Sequence, residues 1–261
     1  MSNCEQNMVK VTGIPAFEDN YIWAIHDRQH AAIVDPGDEE PVLEFLQRED
    51  LLLDAVLVTH HHGDHTGGIE ALLAHRPVPV FGPRRERIAS ITHPLAEPER
   101  FSLPHLPLTF QVLDVPGHTA GHIAYFGHGW LFCGDTLFAC GCGRLFEGTP
   151  DQMAASLTKL AALPADTAVY CAHEYTLSNI RFALAVEQEN ADLREREQEA
   201  VQRRREGLPT VPSTIGLELV TNPFLRCTRN DVKQAAEKAA GHSLRDSVAV
   251  FTALRQWKNL F

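Results

Sequence analysis

The feature that most constrains this 261-residue chain is the run ThrHisHisHisGlyAspHis at residues 59–65. Residues 54–59, which are mostly apolar and lead into the run, predict a short buried strand, and residues 67–75 after it predict a helix. The run therefore lies in the loop that joins them. So many imidazole and carboxylate groups at the end of a strand predict a metal site.

The spacing within the run predicts how ions are shared. His60 and His62 are two residues apart, so in an extended backbone they point the same way and can hold one ion. Asp64 and His65 begin the following turn and can face a second ion. Imidazoles and carboxylates together suit zinc, iron or manganese. The alternative is that these histidines cap a helix or lie in a solvated loop.

Three further candidate ligands follow apolar strands downstream. His118 lies in a glycine-bounded turn after one strand, whereas Asp135 and His173 end their own strands directly. Strands that release polar groups at their ends are what a site at the edge of an α/β sheet requires. These partners favour the metal site over a capping or surface role.

The order of these ligands resembles a known superfamily. The run HxHxDH, followed by His118, Asp135 and His173, resembles the metallo-β-lactamase superfamily. Within it, the chain resembles glyoxalase II, the hydroxyacylglutathione hydrolases, over nearly its full length. The supporting motifs are DNYIW at 19–23, GCGRLFEG at 141–148, HEYT at 173–176, NPFLR at 222–226, and a C-terminal helical segment with Arg255 and Lys258.

The resemblance implies an α+β fold, the four-layer αββα metallo-β-lactamase sandwich with a C-terminal helical domain. Periodicity alone predicts mixed α and β structure in the first part of the chain. The predicted strands are 9–14, 21–25, 31–34, 55–58, 78–81, 110–115, 123–126, 130–133 and 168–171, and the predicted helices are 41–47, 69–74 and 153–163.

The composition changes after residue 173. Residues 176–207 are nearly all helix-forming, and a connector at 209–214 precedes two more predicted helices. We therefore expect a catalytic domain at residues 1–173 and a helical substrate-binding domain at residues 174–261.

The resemblance also implies the roles of the ligands. It assigns His60, His62 and His118 to one ion, Asp64, His65 and His173 to the other, and Asp135 to a bridge between them. We expect two divalent ions per chain, zinc first, with iron or manganese as alternatives. A hydroxide held between two such ions is a nucleophile at neutral pH, so Asp64 and Asp135 count as catalytic residues.

The implied reaction is hydrolysis of S-(2-hydroxyacyl)glutathione thioesters. S-D-lactoylglutathione and water would give glutathione and D-lactate, the second step of methylglyoxal detoxification. The expected substrate-binding residues are Arg144, Phe146, Tyr175, Arg255 and Lys258. The basic groups would bind the glycine carboxylate, and the Tyr175 hydroxyl would donate to the tripeptide backbone. Phe146 stands where some members carry tyrosine, which removes one hydrogen bond worth about 1 kcal/mol.

Composition excludes several classes of protein. With 23 basic and 34 acidic residues the formal net charge is −11, which argues against nucleic-acid binding, and an anionic thioester then requires a local positive patch. No apolar run approaches the roughly 18 residues needed to span a bilayer. The first five residues lack a signal-peptide pattern. The six cysteines form no CxxC pair, so we interpret them as reduced thiols and expect a cytoplasmic monomer.

Three rival functions stay open at this point. A mononuclear-iron persulfide dioxygenase would also use glutathione and most of the ligands, but would not need the helical domain with Arg255 and Lys258. A phosphodiesterase or tRNA-processing nuclease would need a basic surface. A non-enzymatic metal-binding protein would give the substrate residues no purpose.

Several polar residues have simpler interpretations. The charged run at 194–206 predicts a solvated helix face. His61 is expected to point away from its two neighbours and to form a structural hydrogen bond. His122 is expected to be a satisfied buried group rather than a ligand.

Overall fold

The computed structural model describes residues 9–261, which divide into two compact units. The first unit comprises the described residues up to Asp114 together with Gly121–Gly134. The second comprises Val115–Ala120 and Asp135–Phe261. Cys4 and the N-terminal residues tested for a signal peptide lie outside the described residues.

The first unit contains a six-stranded mixed sheet. Its strands follow chain order: β1 Lys10–Ala16, β2 Asn20–His26, β3 His30–Val34, β4 Leu52–Leu57, β5 Val80–Pro83 and β6 His93–Leu95. The first three pair antiparallel, and β3 to β6 pair in parallel. The helices are α1 Glu40–Glu49, α2 Gly63–Thr66 and α3 Ile69–His75.

A second set of strands in this unit pairs antiparallel in chain order. These are β7 Arg100–Ser102, β8 Thr109–Asp114, β9 Ile123–Gly127 and β10 Trp130–Gly134. Phe110 and Phe132 are fully buried, and Phe101 packs between Phe81 and Tyr125. The Tyr125 hydroxyl donates to the Val58 carbonyl, 2.6 Å away, which ties this set to the residue that follows β4.

Strand β4 positions the metal-site run. All but its first residue are buried, as expected for a parallel strand covered on both faces. The chain leaves β4 at Leu57 and reaches His60 three residues later. In parallel sheets the loops at the carboxyl ends of strands carry the binding groups, so this is where a site belongs.

The second unit is mostly helical. Two short strand pairs, β11 Leu137–Phe138 with β12 Gly141–Cys142 and β13 Ala168–Cys171 with β14 Ser213–Thr214, accompany the helices. The helices are α4 Pro150–Ala161, α5 Thr176–Val186, α6 Ala191–Arg205, α7 Ile215–Thr221, α8 Asn230–Ala240 and α9 Ser247–Leu260, with a 3-10 helix at Pro223–Leu225. Among residues 9–261, no helix is long and apolar enough to cross a membrane.

A buried ion pair organises this unit. Arg196 Nη2 lies 2.6 Å from Glu218 Oε1, and both side chains are almost inaccessible. The other oxygen of Glu218 accepts from the Cys140 amide at 2.9 Å, and Asn222 Nδ2 donates to the Gly141 carbonyl at 2.9 Å. The pair therefore fixes the turn between β11 and β12. Removing one partner would leave a buried charge, at a cost of about 3–5 kcal/mol.

Most of the predicted elements are confirmed, two predictions are wrong, and the short helix α2 and several short strands were not predicted. Three helices and a 3-10 helix follow the 209–214 connector, instead of two. The charged run at 194–206 is not wholly solvated, because Arg196 is buried against Glu218. Strands β6, β7, β11, β12 and β14 were not predicted, since two or three residues are too few to show a period of two.

Candidate metal centre and substrate pocket

In the first unit, Asp35 fixes the start of the metal-site run. Its carboxylate accepts from the Thr59 amide at 2.7 Å and from the Thr59 hydroxyl at 2.8 Å. His60 Nδ1 lies 3.1 Å from the same hydroxyl oxygen. Since the hydroxyl proton goes to Asp35, His60 Nδ1–H must be the donor, and Nε2 keeps its lone pair. That nitrogen lies 3.1 Å from His62 Nδ1, so the two rings face each other as paired ligands would.

Asp35 also orients the end of the run. His65 Nδ1 lies 3.1 Å from Asp35 Oδ2, while His65 Nε2 lies 3.5 Å from Asp64 Oδ2. Asn20 Nδ2 donates to Asp64 Oδ2 at 3.1 Å. One buried carboxylate thus orients residues at both ends of the run. A carboxylate behind a histidine is the usual arrangement that fixes the tautomer of a metal ligand.

Two other histidines have the roles expected for them. His61 Nδ1 lies 2.9 Å from Glu86 Oε2, so this side chain forms the expected structural hydrogen bond, although its ring lies 5.0 Å from the His62 ring rather than pointing away from it. His122 is buried, bonds through Nδ1 to the Ile123 carbonyl at 3.0 Å, and stacks on the His60 ring at 4.6 Å. Both predictions of a structural role are confirmed.

In the second unit, two histidines converge on Asp135. His118 Nε2 lies 3.4 Å from one carboxylate oxygen, and His173 Nε2 lies 3.4 Å from the other. All three side chains are buried. His118 Nδ1 donates to the Arg144 carbonyl at 2.8 Å, so a neutral His118 presents an Nε2 lone pair to the carboxylate.

The side chains of His118, Asp135 and His173 together are suited to bind a cation. A lone pair that faces a carboxylate oxygen in a buried site is repulsive, and a separation of 3.4 Å exceeds the roughly 2.7–2.9 Å of a charge-assisted hydrogen bond. A divalent ion removes the repulsion and takes imidazole nitrogen and carboxylate oxygen as ligands. The tautomers of His60 and His118, which Asp35 and the Arg144 carbonyl set, also leave Nε2 of each ring available to bind a metal.

Gly143 explains why the GCGR motif needs a glycine. A Cβ at this position would lie 1.9 Å from the Asp135 carbonyl oxygen and 3.2 Å from His118 Nδ1. Any side chain would therefore displace the backbone beside Asp135 and His118. The motif brings the chain close to the ligands and then presents Arg144.

An aromatic cluster surrounds His173. The Tyr175 ring stacks on the His173 ring at 4.7 Å with the planes 5° apart, and Phe138 packs against both rings edge-on. Tyr175 is also the residue that precedes α5. The cluster fixes the orientation of the His173 ring and joins it to the start of that helix.

A cavity of about 660 Å³ lies within the second unit. All five predicted substrate-binding residues line it, as do His118 and Asp135. His173 stacks on the Tyr175 ring and is not itself a lining residue. The residues that sequence reasoning placed together are thus together in this unit: Arg144, Phe146, Tyr175, Arg255 and Lys258. Residues that it missed also line the cavity: Phe138, Cys142, Ser178, Asn179, Arg181, Asn259 and Phe261.

Four cationic side chains line this cavity: Arg144, Arg181, Arg255 and Lys258. Arg255 is buried, donates to the Cys142 carbonyl at 2.8 Å, and lies 5.2 Å from the Phe224 ring centre. Within residues 9–261, none of the four forms an ion pair with a carboxylate. A chain with a net charge of −11 therefore keeps a concentrated positive site.

Burial and, to a smaller extent, the charge of the neighbouring Arg255 together lower the pKa of Lys258 to about 8. Lys258 Nζ lies 5.2 Å from the centre of the Phe182 ring. The ammonium is thus held among like charges and partly out of water, and an anion that entered the cavity would relieve both costs.

The cysteines are not candidates for a nucleophile. The five that the structure describes are buried and form no disulfide. Burial raises the pKa of Cys140, Cys171 and Cys227 to about 12, and it also raises the pKa of Cys142. These four thiols remain protonated at neutral pH, and all five described cysteines are free thiols, as predicted.

Two of the missed residues had a sequence signal. Asp35 directly follows the predicted strand at 31–34, which is the same pattern that identified Asp135. Arg181 is a basic residue six positions after Tyr175, within the stretch predicted to be helical. Both signals were weak because charged residues are common at such positions.

Comparison with known proteins divides the chain at residue 173, whereas the second compact unit also includes Val115–Ala120 and Asp135 onward. The profile described as "Metallo-beta-lactamase superfamily" matches residues 17–173, and the one described as "Hydroxyacylglutathione hydrolase C-terminus" matches residues 174–261. Among solved structures, the BLEG-1 B3 metallo-β-lactamase is 26% identical with a TM-score of 0.62, over 83% of this chain and 99% of that one. The α+β metallo-β-lactamase fold with a C-terminal helical region is therefore confirmed.

Two curated relatives extend over almost the whole sequence. The hydroxyacylglutathione hydrolase of Alkalilimnicola ehrlichii is 57% identical over 97% of this chain and 99% of its own. The hydroxyacylglutathione hydrolase of Nitrosomonas eutropha is 52% identical over 97% of this chain and 100% of its own. At this identity and coverage, the chain belongs to the hydroxyacylglutathione hydrolase family of the metallo-β-lactamase superfamily.

Proposed function

We propose that this chain is a metallohydrolase that cleaves hydroxyacylglutathione thioesters, with S-D-lactoylglutathione and water giving glutathione and D-lactate. The observation that carries the proposal is the cavity of the second unit, which is lined by buried His118 and Asp135 and by four cations that form no ion pair within residues 9–261. A metal-type donor set beside a positive pocket suits hydrolysis of an anionic substrate. The relatives named above carry the same activity in their names.

The superfamily fold implies divalent metal, and the donor chemistry in each unit fits it. We propose two ions, zinc first and iron or manganese as alternatives, with seven ligands: His60, His62 and His118 for one, Asp64, His65 and His173 for the other, and Asp135 for both. When bound, such ions polarise a carbonyl group and lower the pKa of water toward neutrality. Asp64 and Asp135 would then be ligands of the catalytic ions.

The remaining side chains bind and orient the substrate. Arg255 is held by the Cys142 carbonyl and by Phe224, so its guanidinium is preorganised to receive a carboxylate. Lys258, three residues later on α9, lies on the same helix face. We assign the glycine carboxylate to these two residues and Arg144. The Tyr175 hydroxyl would donate to the tripeptide backbone.

Anchoring the tripeptide in this way brings the thioester toward His118 and Asp135. Fixing the reacting group near its catalytic groups lowers the entropy cost of the reaction. The leaving thiolate is stable enough to depart without a proton, which suits a cavity with no histidine free to act as an acid among its described lining residues. We further propose that the helical segment 174–261 serves mainly to bind substrate. A cytoplasmic monomer remains our prediction.

The test combines metal analysis with an assay of S-D-lactoylglutathione hydrolysis. We expect up to two ions per chain and thioester turnover that chelation abolishes. The variant Arg255→Ala with Lys258→Ala should raise KM by about a hundredfold with little change in metal content. The two side chains bind the substrate and the transition state equally, so their loss weakens binding without slowing the chemical step. Arg205→Ala with Lys238→Ala removes the same charge from exposed sites and should leave KM unchanged.

Two outcomes would contradict the proposal. Absence of thioester turnover in the metal-loaded protein would exclude the hydrolase assignment. An unchanged KM in the Arg255 and Lys258 double variant would place the glutathione site outside this cavity. Consumption of oxygen with glutathione persulfide would instead favour a dioxygenase.

A further inference from the structure

Helix α5 presents a line of polar side chains to the cavity that the proposed function does not yet use. Tyr175 precedes the helix, Ser178 and Arg181 follow at intervals of three residues, and all three line the cavity. Six residues of helix rise by about 9 Å. The line therefore begins beside the His173 ring and ends with a guanidinium well away from it.

Arg181 differs from the other three cations of the cavity. Arg255 is buried and Lys258 is half-buried, whereas Arg181 is exposed at the cavity rim. Within the part of the chain that the structure describes, no carboxylate or carbonyl holds its guanidinium. Arg181 nevertheless stands close enough to Lys258 to help lower the pKa of that ammonium. It is thus part of the same positive field and is available to a ligand.

A glutathione thioester carries two carboxylates, one on each side of its sulfur-bearing cysteine. The glycine carboxylate is assigned above to the buried and half-buried cations. The γ-glutamyl carboxylate is farther from the sulfur, because the γ-linkage places the glutamyl side chain in the path between them. A thioester held near His118 and Asp135 would carry that second carboxylate outward to the rim.

We infer that Arg181 binds the γ-glutamyl carboxylate and so selects the intact tripeptide over shorter thiols. The inference rests on the proposed function for the position of the thioester. The adjacent ammonium of the γ-glutamyl group would remain in solvent at the rim. Arg181 would then contribute to KM rather than to kcat, since this contact is made equally before and during the reaction.

The test compares two thioesters on the metal-loaded full chain. S-D-lactoylglutathione carries the γ-glutamyl group, and the S-D-lactoyl thioester of N-acetylcysteinylglycine lacks it, with the acetyl group blocking transfer of the acyl group to the cysteine amine. In Arg181→Gln we expect KM for the first to rise by about fivefold, as for one exposed charged contact, and KM for the second to stay unchanged. Arg181→Lys should recover part of the loss. Arg205→Gln, which removes the same charge outside the cavity, should change neither KM.

A binding measurement separates this inference from the proposed function. Calorimetry with S-methylglutathione and S-methylcysteinylglycine reports affinity without turnover, and Arg181→Gln should weaken only the first. An equal loss for both ligands would show that Arg181 acts only through its general charge, and no loss for either would show that it does not touch substrate. Either result overturns the inference while leaving thioester hydrolysis by the wild type intact. A wild type that binds these ligands but hydrolyses neither thioester would instead contradict the proposed function.

Discussion

The metal-site loop of the first unit and the cavity of the second unit hold their polar groups in opposite ways. In the loop, His60 and His65 are each linked to Asp35, directly or through Thr59, by contacts of about 3 Å. In the cavity, four cations lie together, and only Arg255 has a hydrogen-bond acceptor among the described residues of the chain. One region is ordered by close contacts with a buried carboxylate, and the other holds charged groups that have few contacts with protein acceptors.

The difference reflects what each region has to bind. A metal ligand must present one defined lone pair, so its other nitrogen is fixed by the protein in advance. A pocket for an anion gains from charges whose partner is the ligand itself, because the unfavourable like-charge contacts are relieved only on binding. Contacts within the protein thus preorganise the loop for a metal. The cavity instead keeps its positive charges available for an anionic ligand.

The largest test of this contrast removes the carboxylate on which His118 and His173 converge. Asp135→Ala should lower the metal content and reduce kcat by more than about a thousandfold, since a bound ion accounts for most of the nucleophile activation. Metal analysis and turnover measure the two effects. Asp166→Ala, an exposed aspartate of the same unit, serves as the control. If Asp135→Ala kept both its metal and its rate, the bridging role would be wrong.

A second test weakens the preorganisation of the loop without touching a ligand. In Asp35→Asn, the amide would face donors from Thr59 and His65, so one of those contacts must break. We expect metal affinity to fall by about tenfold to a hundredfold, and kcat at saturating metal to change less. Competition with a chelator gives the affinity. Asp50→Asn, at an exposed helix end, should have no effect, and equal metal affinity in the two variants would show that Asp35 does not orient the ligands.

The two regions also differ in how far they could be predicted from the sequence. The loop is local, because four of its ligands lie within six residues after a buried strand, and strand periodicity fixes its place. His118, Asp135 and His173 were found because each follows a strand. Asp35 gives the same signal and was missed, since a carboxylate after a strand is common and only its contacts with Thr59 and His65 reveal its role.

The cavity is non-local, and its prediction depended on the family resemblance. Arg144, Tyr175 and Arg255 are separated by tens of residues, and no periodicity relates them. Arg196 shows the same limit, because its run looked like a solvated helix face, whereas Glu218 on another helix draws it into the core. Packing between distant helices decides such cases, and a single sequence does not record it.

The third test uses pH to remove the positive charge of Lys258 from the cavity. The pKa of Lys258 is lowered from its ordinary value to about 8, so this ammonium loses its proton as the pH rises through that value. Anion binding should weaken in the same direction, and we expect KM to rise by about fivefold between pH 7 and pH 9. Lys258→Arg keeps its charge throughout this range and should flatten the profile. A wild-type profile identical to that of Lys258→Arg would mean that the charge of Lys258 does not bind substrate.

The smallest test adds a single hydroxyl to the rim of the cavity. Phe146 lines the cavity with 63% of its surface exposed, and its ring lies 5.2 Å from the His118 ring. Because the position is open to solvent, Phe146→Tyr buries no unpaired hydroxyl and should not destabilise the fold. One exposed hydrogen bond to the tripeptide should lower KM by about twofold to fivefold and leave the metal content unchanged.

The control for this last variant is Phe126→Tyr, a partly exposed phenylalanine on β9 of the first unit. It adds the same hydroxyl at a position that does not line the cavity and should leave KM unchanged. An unchanged or higher KM in a stably folded Phe146→Tyr would mean that position 146 contacts the acyl group or solvent rather than the glutathione backbone. In that case the cavity would bind the tripeptide through its charges, and the aromatic ring would serve only to shield His118.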